Sequence, residues 1–279
     1  ACVYYSLKCI IDPTLPSNGG YYRPIHIRTT PGTLVCCNDT AAVAGRTDTA
    51  QRVVSVIFGA MAQLVPHQII AGSHDAITGI YFGGTDPDTH KFYVYVETLA
   101  GGSGARFNKD GLDAVQVHMT NTSNLPIESL ETEYPLRVEQ CSLIPDSGGA
   151  GQYRGGLGIR KDIRIIGHDC TFSVKADRQK LAPWGLFGGK DGFIGQVVVN
   201  PDTADAAVID SKKSNMLLSA GGVLSCRTPG AGGYGDPSKR DRNLIIRDLE
   251  QGFITPQCAK KDYGLTDEEI HQIHLYEMN

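Results

Sequence analysis

The sequence predicts an α+β fold, with a β-rich mixed core, N-terminal helices and a small helical tail. Three observations carry this expectation. Apolar residues recur at helical spacing in "ACVYYSLKCII" and again in "RVVSVIFGAMAQL". Through the middle of the chain, short segments alternate in the two-residue period of a strand and are divided by glycine clusters. Near the end, capping residues replace the alternation.

In order, residues 1–11 predict a helix that stops at "DPTLPSNGG", a turn rich in Pro, Asn and Gly. "YYRPIHIRT" and "PGTLVC" read as two short strands. A helix follows over Thr49 to Leu64, capped by Thr47 or Asp48. Its apolar residues cover most of the circumference, which predicts burial all round. "ITGIYFGG" and "KFYVYVETLAGG" alternate on either side of the hairpin-type turn "TDPDTH". Further strands are read at "AVQVHMTNTSN", "RVEQCSLIP", "IRKDIRIIG", "CTFSVKADR", "IGQVVVN", "AAVID" and "GGVLSCRT". The tail begins with the helix "RDRNLIIRDLEQG". Next comes "TPQCAKKDYG", with Thr255 at the N-cap, Pro256 at N1 and Gly264 past the end. Thr266 and Glu269 form a capping box for a last helix. Residues 1–237 thus read as one α+β domain and 238–279 as a helical tail.

Charge and hydropathy exclude several partners. A net charge of -4 gives no basic footprint for nucleic acid. No apolar run reaches the roughly eighteen residues that cross a bilayer. The chain opens with a helix already under way and without Met or a leader pattern, and reads as one piece of a longer polypeptide. Eight cysteines lack any CxxC pairing, which argues against a zinc site and fits small apolar side chains in a reducing, cytoplasmic setting.

Four glycine clusters stand out: "GGSGAR", "DSGGAGQYRGGLG", "WGLFGGKDG" and "PGAGGYGDP". Short β connections account for such clusters, and so do backbone N–H groups gathered to hold an anion. None is a Walker A loop: "GLFGGKD" is one residue short and carries Asp after the Lys. "VHMTNTSN" is the segment richest in functional groups, with His118, Thr120 and Asn121 at the end of an apolar strand. Glu97 follows an alternating aromatic and valine run, a solvated strand end or a carboxylate aimed into a cleft. His74 and Asp75 are adjacent and would point to opposite faces of a strand, so a joint role requires a turn. His271 and His274 have i, i+3 spacing but no third ligand nearby, and read as surface.

Taken in order, "GGSGARFNKDG", "VHMTNTSN", "DSGGAGQYRGGLGIRKDIRI", "DRQKLAPWGLFGGKDG" and "TPGAGGYGDP" resemble the hydantoinase B/5-oxoprolinase B-type subunits, over nearly the whole chain. The resemblance implies a partner of the A type, with an actin-like ATPase fold that binds ATP and Mg. The pair activates an amide or carbonyl oxygen. In the hydrolases the lactam oxygen is phosphorylated so that water can attack; in the related acetone and acetophenone carboxylases an activated enol is carboxylated. Family members are about twice as long, and the half without a counterpart here is N-terminal, where the carboxylases carry a His/Asp-rich metal-binding segment. A separate chain is expected to supply that half. A divalent metal in the complex, Zn or Mn, would then take its ligands from outside this chain. Where the hydrolases have a Ser-Gln-Gly-like segment this chain reads "GSHDAITG", which keeps the carboxylase alternative open.

The residues themselves, rather than the resemblance, suggest four catalytic candidates: His118 as acid/base or oxyanion donor, Asn121 orienting a carbonyl, Glu97 as base or orienting carboxylate, and Arg106 contacting an anion. Gly101, Gly102, Gly104 and Thr120 complete the predicted substrate- and anion-binding set. The expected function is ATP-dependent hydrolysis of a cyclic amide within a complex; a ketone carboxylase subunit, or a mainly structural subunit, is the alternative.

Overall fold

The computed structural model of the protein describes residues 1–273. It is an α+β structure built on two antiparallel sheets. Strands β1 (Thr78–Thr85), β2 (Phe92–Leu99), β5 (Cys170–Lys175) and β8 (Lys212–Leu218) form one sheet in the order β2-β1-β5-β8. The second has the order β3-β4-β9-β6-β7, from β3 (Leu136–Leu143), β4 (Ile159–Ile165), β6 (Gln196–Val199), β7 (Ala207–Ile209) and β9 (Val223–Arg227). Ile80, Phe82 and Phe172 of the first sheet share one buried core with Ile163, Ile165 and Leu224 of the second. Alternation put these residues on inward faces, and burial from both sides fixes the register. The β1–β2 hairpin pairs Thr78 with Leu99 and Thr85 with Phe92.

A second cluster joins α1 (Cys2–Ile11) to α3 (Arg46–Met61) through Ile10, Val54, Phe58, Ala62 and Ile69. The third holds the tail. Helices α5 (Arg242–Glu250), α6 (Pro256–Tyr263) and α7 (Asp267–His271) pack Ile245, Leu249, Ala259 and Ile270 with Ala150 of a glycine loop. Its caps are as predicted: Thr255 accepts from the Cys258 N–H, Gly264 is left-handed at φ 69°, and Thr266 and Glu269 close a capping box. His271 is exposed and His274 lies outside the described residues.

Four expectations need correction. "YYRPIHIRT" and "PGTLVC" are not strands. They hold a one-turn helix α2 (Gly19–Tyr22) and then exposed chain with a single bridge, Thr33 to Cys36. Pro24 and Pro31 have no N–H to give a ladder, and no partner strand lies beside them. "AVQVHMTNTSN" is irregular, because Ala114 and His118 adopt φ 51° and 55°, outside strand geometry. Helix α3 begins at Arg46 and is one-sided: Val56 is 70% exposed while Gln51 and Ser55 are buried. Strand β8 and the short helix α4 (Ile127–Glu133) were not anticipated.

The glycine clusters fold onto one another. Gly72, Ser103, Gly149, Gly156, Ala231 and Gly232 belong to neither sheet, yet are linked by backbone bonds such as Gly232 N–H to Gly72 O (2.8 Å) and Ala231 N–H to Gly156 O (2.9 Å). A methyl group on Gly104 would stand 1.8 Å from the Ala71 oxygen, and one on Gly232 2.0 Å from the Trp184 oxygen. Neither glycine has a left-handed φ, so it is space that the backbone requires there. Strands of the two sheets enter and leave this backbone layer, and the candidate site lies at its edge.

Candidate functional site

The predicted residues separate into two groups. The segment from residue 115 to 124 is a strap tied down at four points. The Val115 N–H donates to Gly101 O (2.8 Å), His118 Nε2 bonds Asp75 Oδ1 (2.9 Å), Thr120 Oγ1 accepts from Gln51 Nε2 (2.6 Å), and Asn124 Nδ2 donates to Glu97 (2.7 Å). Glu97 is buried and held on both oxygens by Lys161 Nζ at 2.8 Å. It is therefore a structural ion pair reaching from β2 to β4 rather than a base facing a cleft. Asn121 is exposed. Arg106 closes a tight turn with Lys109 and contacts neither Asp75 nor Glu97.

Two of the glycines already spend their donors inside the chain. The Gly102 N–H donates to Pro229 O (3.1 Å) and the Gly104 N–H to Ser73 Oγ (2.9 Å), while Gly101 offers its carbonyl to Val115. Those groups are consumed by the glycine layer.

Around His118 the structure assembles what the sequence left apart. Asp75 is fully buried; Oδ1 takes His118, and Oδ2 takes Arg178 Nη2 at 2.5 Å with Arg52 Nη1 at 3.9 Å. Burial alone would raise the Asp75 carboxyl, but the hydrogen bond and charge of His118, with the Arg178 guanidinium, hold it below the ordinary carboxylate range. The imidazole of His118 is wedged edge-on against Phe58 and Tyr5, at ring centroid distances of 5.5 and 6.1 Å, which fixes its plane. Next to it in space, His74 is fully buried with both ring nitrogens unpartnered; desolvation pushes its pKa down to about 4, so it is neutral.

All three bonded members stand on left-handed backbone, Asp75 at φ 42°, His118 at 55° and Arg178 at 57°. Asp and His tolerate this region better than most residues, but for Arg it is strained. Such strain, of about 1–3 kcal/mol per residue, persists where the surroundings impose it and collects at functional sites. The turn at Asp75 is also what lets adjacent His74 and Asp75 contribute to one cluster.

Beside the cluster, between α3 and the 177–184 loop, lies a cavity of about 550 Å³. Arg52, Arg178, Lys180 and Lys212 line it with Asp177, and Trp184, Leu181 and Val56 add apolar wall. Asp75, Arg178 and Trp184 lie in segments that stand out in the sequence, "GSHDAITG" and "DRQKLAPWGLFGGKDG", but nothing local marks them as members of one site. The one available signal was "SHDAIT", whose meaning depends on a left-handed turn that sequence does not display. Among the described residues no group of three or more His, Cys, Asp or Glu side chains is placed to hold a metal ion, and no helix is long and apolar enough to cross a membrane.

Comparison with known proteins places this arrangement. The family model described as hydantoinase B/oxoprolinase matches residues 1–237. The B-type component of a putative D-/L-hydantoinase from Pseudomonas sp. (strain NS671) is 34% identical over 285 residues, covering 99% of this chain and 47% of the relative. Among solved structures, the ATP-dependent caprolactamase from Pseudomonas jessenii superposes with a TM-score of 0.85 at 24% identity, over 98% of this chain and 50% of that one. Acetone carboxylase shares the fold at a TM-score of 0.74 and 18% identity, over 95% of this chain and 40% of that one. The chain therefore spans about half the length of the proteins it matches. With its glycine layer, its paired sheets and a sequence matched from residue 1 to 237, the chain belongs to the hydantoinase B/oxoprolinase family.

Proposed function

We propose that this chain is part of an ATP-dependent enzyme that opens a cyclic amide, of the hydantoin, 5-oxoproline or lactam type. It works with a partner ATPase of the A type and with a chain or segment corresponding to the N-terminal half of its relatives. The observation that carries the reading is the Asp75–His118–Arg178 cluster, three bonded side chains on strained backbone beside a cationic cavity. The partner supplies the activation, phosphorylating the amide oxygen at the expense of Mg-ATP. The ring carbon then becomes open to water, and the attack needs a proton acceptor and a counter-charge. With Nε2 committed to Asp75, His118 has Nδ1 to exchange a proton, and the buried carboxylate stabilises the imidazolium that forms. Arg178 and Arg52 line the cavity as positive charges for the phosphoryl oxygens of the activated amide. The proton taken by His118 passes to the ring nitrogen as the C–N bond breaks, and a second water splits the resulting acyl phosphate into carboxylate and phosphate. Any Zn or Mn in the complex takes its ligands from outside this chain.

A second reading, a component of a ketone carboxylase, draws on the acetone carboxylase likeness and on the same cations, which suit bicarbonate as well. One experiment separates them. The complex recovered through a tag on this chain is given ATP with 5-oxoproline, hydantoin or caprolactam, and in parallel with acetone and bicarbonate. Ring opening coupled to phosphate release supports the first reading; turnover only with ketone and bicarbonate replaces it with the second. Replacing His118 with Ala is expected to lower kcat by about 10²–10⁴-fold with assembly intact. Activity within a few-fold of the parent would remove His118 from the mechanism.

A further inference from the structure

We infer that the cavity between α3 and the 177–184 loop is an oxyanion-binding subsite, one that takes the carboxylate or phosphate group of a small flat molecule against Arg178, Arg52 and Gln179. It rests on the preceding reading only for the kind of molecule that carries the group. The subsite itself stands on three features of the wall.

The first is charge. Four cationic side chains line the cavity against one carboxylate, Asp177, with Asp75 behind Arg178. Even after both carboxylates are counted, positive charge is in excess where solvent is partly displaced. The second is unmet hydrogen bonding. Arg178 is 8% exposed and spends Nη2 on Asp75 and Nη1 on Ala182 O (2.9 Å), but its Nε has no partner; neither has Nε2 of the adjacent Gln179. Two buried donors on consecutive lining residues thus lack an acceptor among the described residues, a cost that an entering acceptor relieves. The third is shape. Trp184 lies against Gly59 of α3, where a methyl group would meet its ring at 3.6 Å, and Leu181 of the loop and Val56 of α3 are 77% and 70% exposed. Aromatic and aliphatic surface among cationic groups suits a planar ring with an anionic substituent.

Arg178 is fixed before any ligand arrives. Asp75 grips one end of the guanidinium, the Ala182 carbonyl the other, and the left-handed backbone sets the direction of the side chain. A preset donor loses little freedom on binding, which favours a small ligand that offers few contacts of its own.

Calorimetric titration of the full chain at low ionic strength, without ATP or partner, tests the proposal with inorganic phosphate, acetate and 5-oxoproline. Saturable binding is expected, with the ligands competing and affinity falling roughly tenfold in Arg52→Gln, the loss of one charge-assisted bond. Lys212→Ala, at a more exposed position, should weaken binding by a smaller factor and report on the same cavity. Preference for phosphate assigns the subsite to a phosphorylated molecule; preference for 5-oxoproline over acetate assigns it to a ring-borne carboxylate. Arg178→Gln strips Asp75 of its partner and endangers the fold, so the two milder variants carry the test. No saturable binding, or binding unaltered in both variants, overturns it. The outcome is independent of turnover. Phosphate binding without ring opening would sink the enzymatic reading alone, and ring opening without anion binding would sink this one alone.

Discussion

Two buried arginine–carboxylate networks lie in this chain, and they are built differently. At the tail, Arg240 bonds Asp110 through both terminal nitrogens (2.7 and 2.9 Å) and Asp248 at 2.5 Å, while Arg154 reaches Asp248 and Asp113. Arg154 stacks over Phe253 and Arg240 over Tyr263. None of these five charged residues has a left-handed backbone, and none lines either of the cavities found at residues 52–212 and 1–119. The Asp75 network has fewer carboxylates, three strained residues and an open side. An unpartnered nitrogen does not distinguish the two, since Arg240 Nε is also without a partner. Strain and access do. The first network locks the tail to the glycine loops; the second holds charges in position for something that enters.

The sharpest way to break that contrast is at Asp248. Asp248→Ala leaves Arg154 and Arg240 facing each other over a buried gap, and removing one partner of such a pair costs about 3–5 kcal/mol. Urea denaturation should show a lowered midpoint, while turnover per folded molecule in the complex stays near the parent's. A loss of turnover in the folded fraction would place catalytic machinery in the tail and erase the distinction.

How much of this was open to a sequence reader follows from what each element depends on. Strands β2 and β5 declare themselves because each buries one face, so Tyr95 and Leu99, and Phe172 and Val174, fall on alternate positions; β1 and β4 keep apolar alternation at Ile80, Phe82, Ile163 and Ile165 although neighbours are buried as well. The tail helices declare themselves through caps, which are local by nature: Thr255 and Gly264 act within five residues of themselves. Strand β8, "KKSNMLL", is exposed along most of its length and carries no alternation to read. The glycine clusters were visible as composition, but their purpose was not. A glycine that supplies an anion donor and a glycine that lets another backbone pass leave the same letter, and only the Ala71 oxygen, 1.8 Å from where a methyl group on Gly104 would stand, separates them. Of the predicted site residues, His118 stands inside the cluster and Thr120 on its strap, whereas Glu97 serves an ion pair across the sheets. Asp75 and Arg178 are 103 residues apart, and no local pattern joins them.

Acid should find the difference between the networks as well. His74, beside Asp75, is neutral when folded, with a pKa of about 4, against roughly 6.5 unfolded. Between those values the unfolded chain takes up a proton that the folded chain refuses. Stability is therefore full above pH 6.5 and declines as pH falls toward 4, at about 1.4 kcal/mol per pH unit. From pH 7 to pH 5 the loss is about 2 kcal/mol. Denaturation at the two pH values should show it, and His74→Leu should flatten the dependence, because the leucine has no group to take up a proton. The tail network is made of arginines and carboxylates and holds no histidine. An unchanged slope in His74→Leu would move the acid sensitivity elsewhere.

The smallest effect is the most discriminating. Arg52 pairs with Asp177 at 3.4 Å, and their side chains are 29% and 32% exposed, so solvent screens the pair. Losing it in Arg52→Gln should cost less than about 1 kcal/mol of stability. The same change is expected to weaken phosphate binding roughly tenfold. Both quantities can be measured on one sample, by urea denaturation and by calorimetry. An arginine kept for the fold would show the reverse, a large loss of stability with binding unaltered, as a buried member of the tail network should. If Arg52→Gln behaved in that way, the cavity wall would be a second structural lock, and the strain at Asp75, His118 and Arg178 would need another cause. If stability holds while affinity falls, then the two networks differ in kind: in one, charge is satisfied inside the protein, and in the other it is held for a ligand.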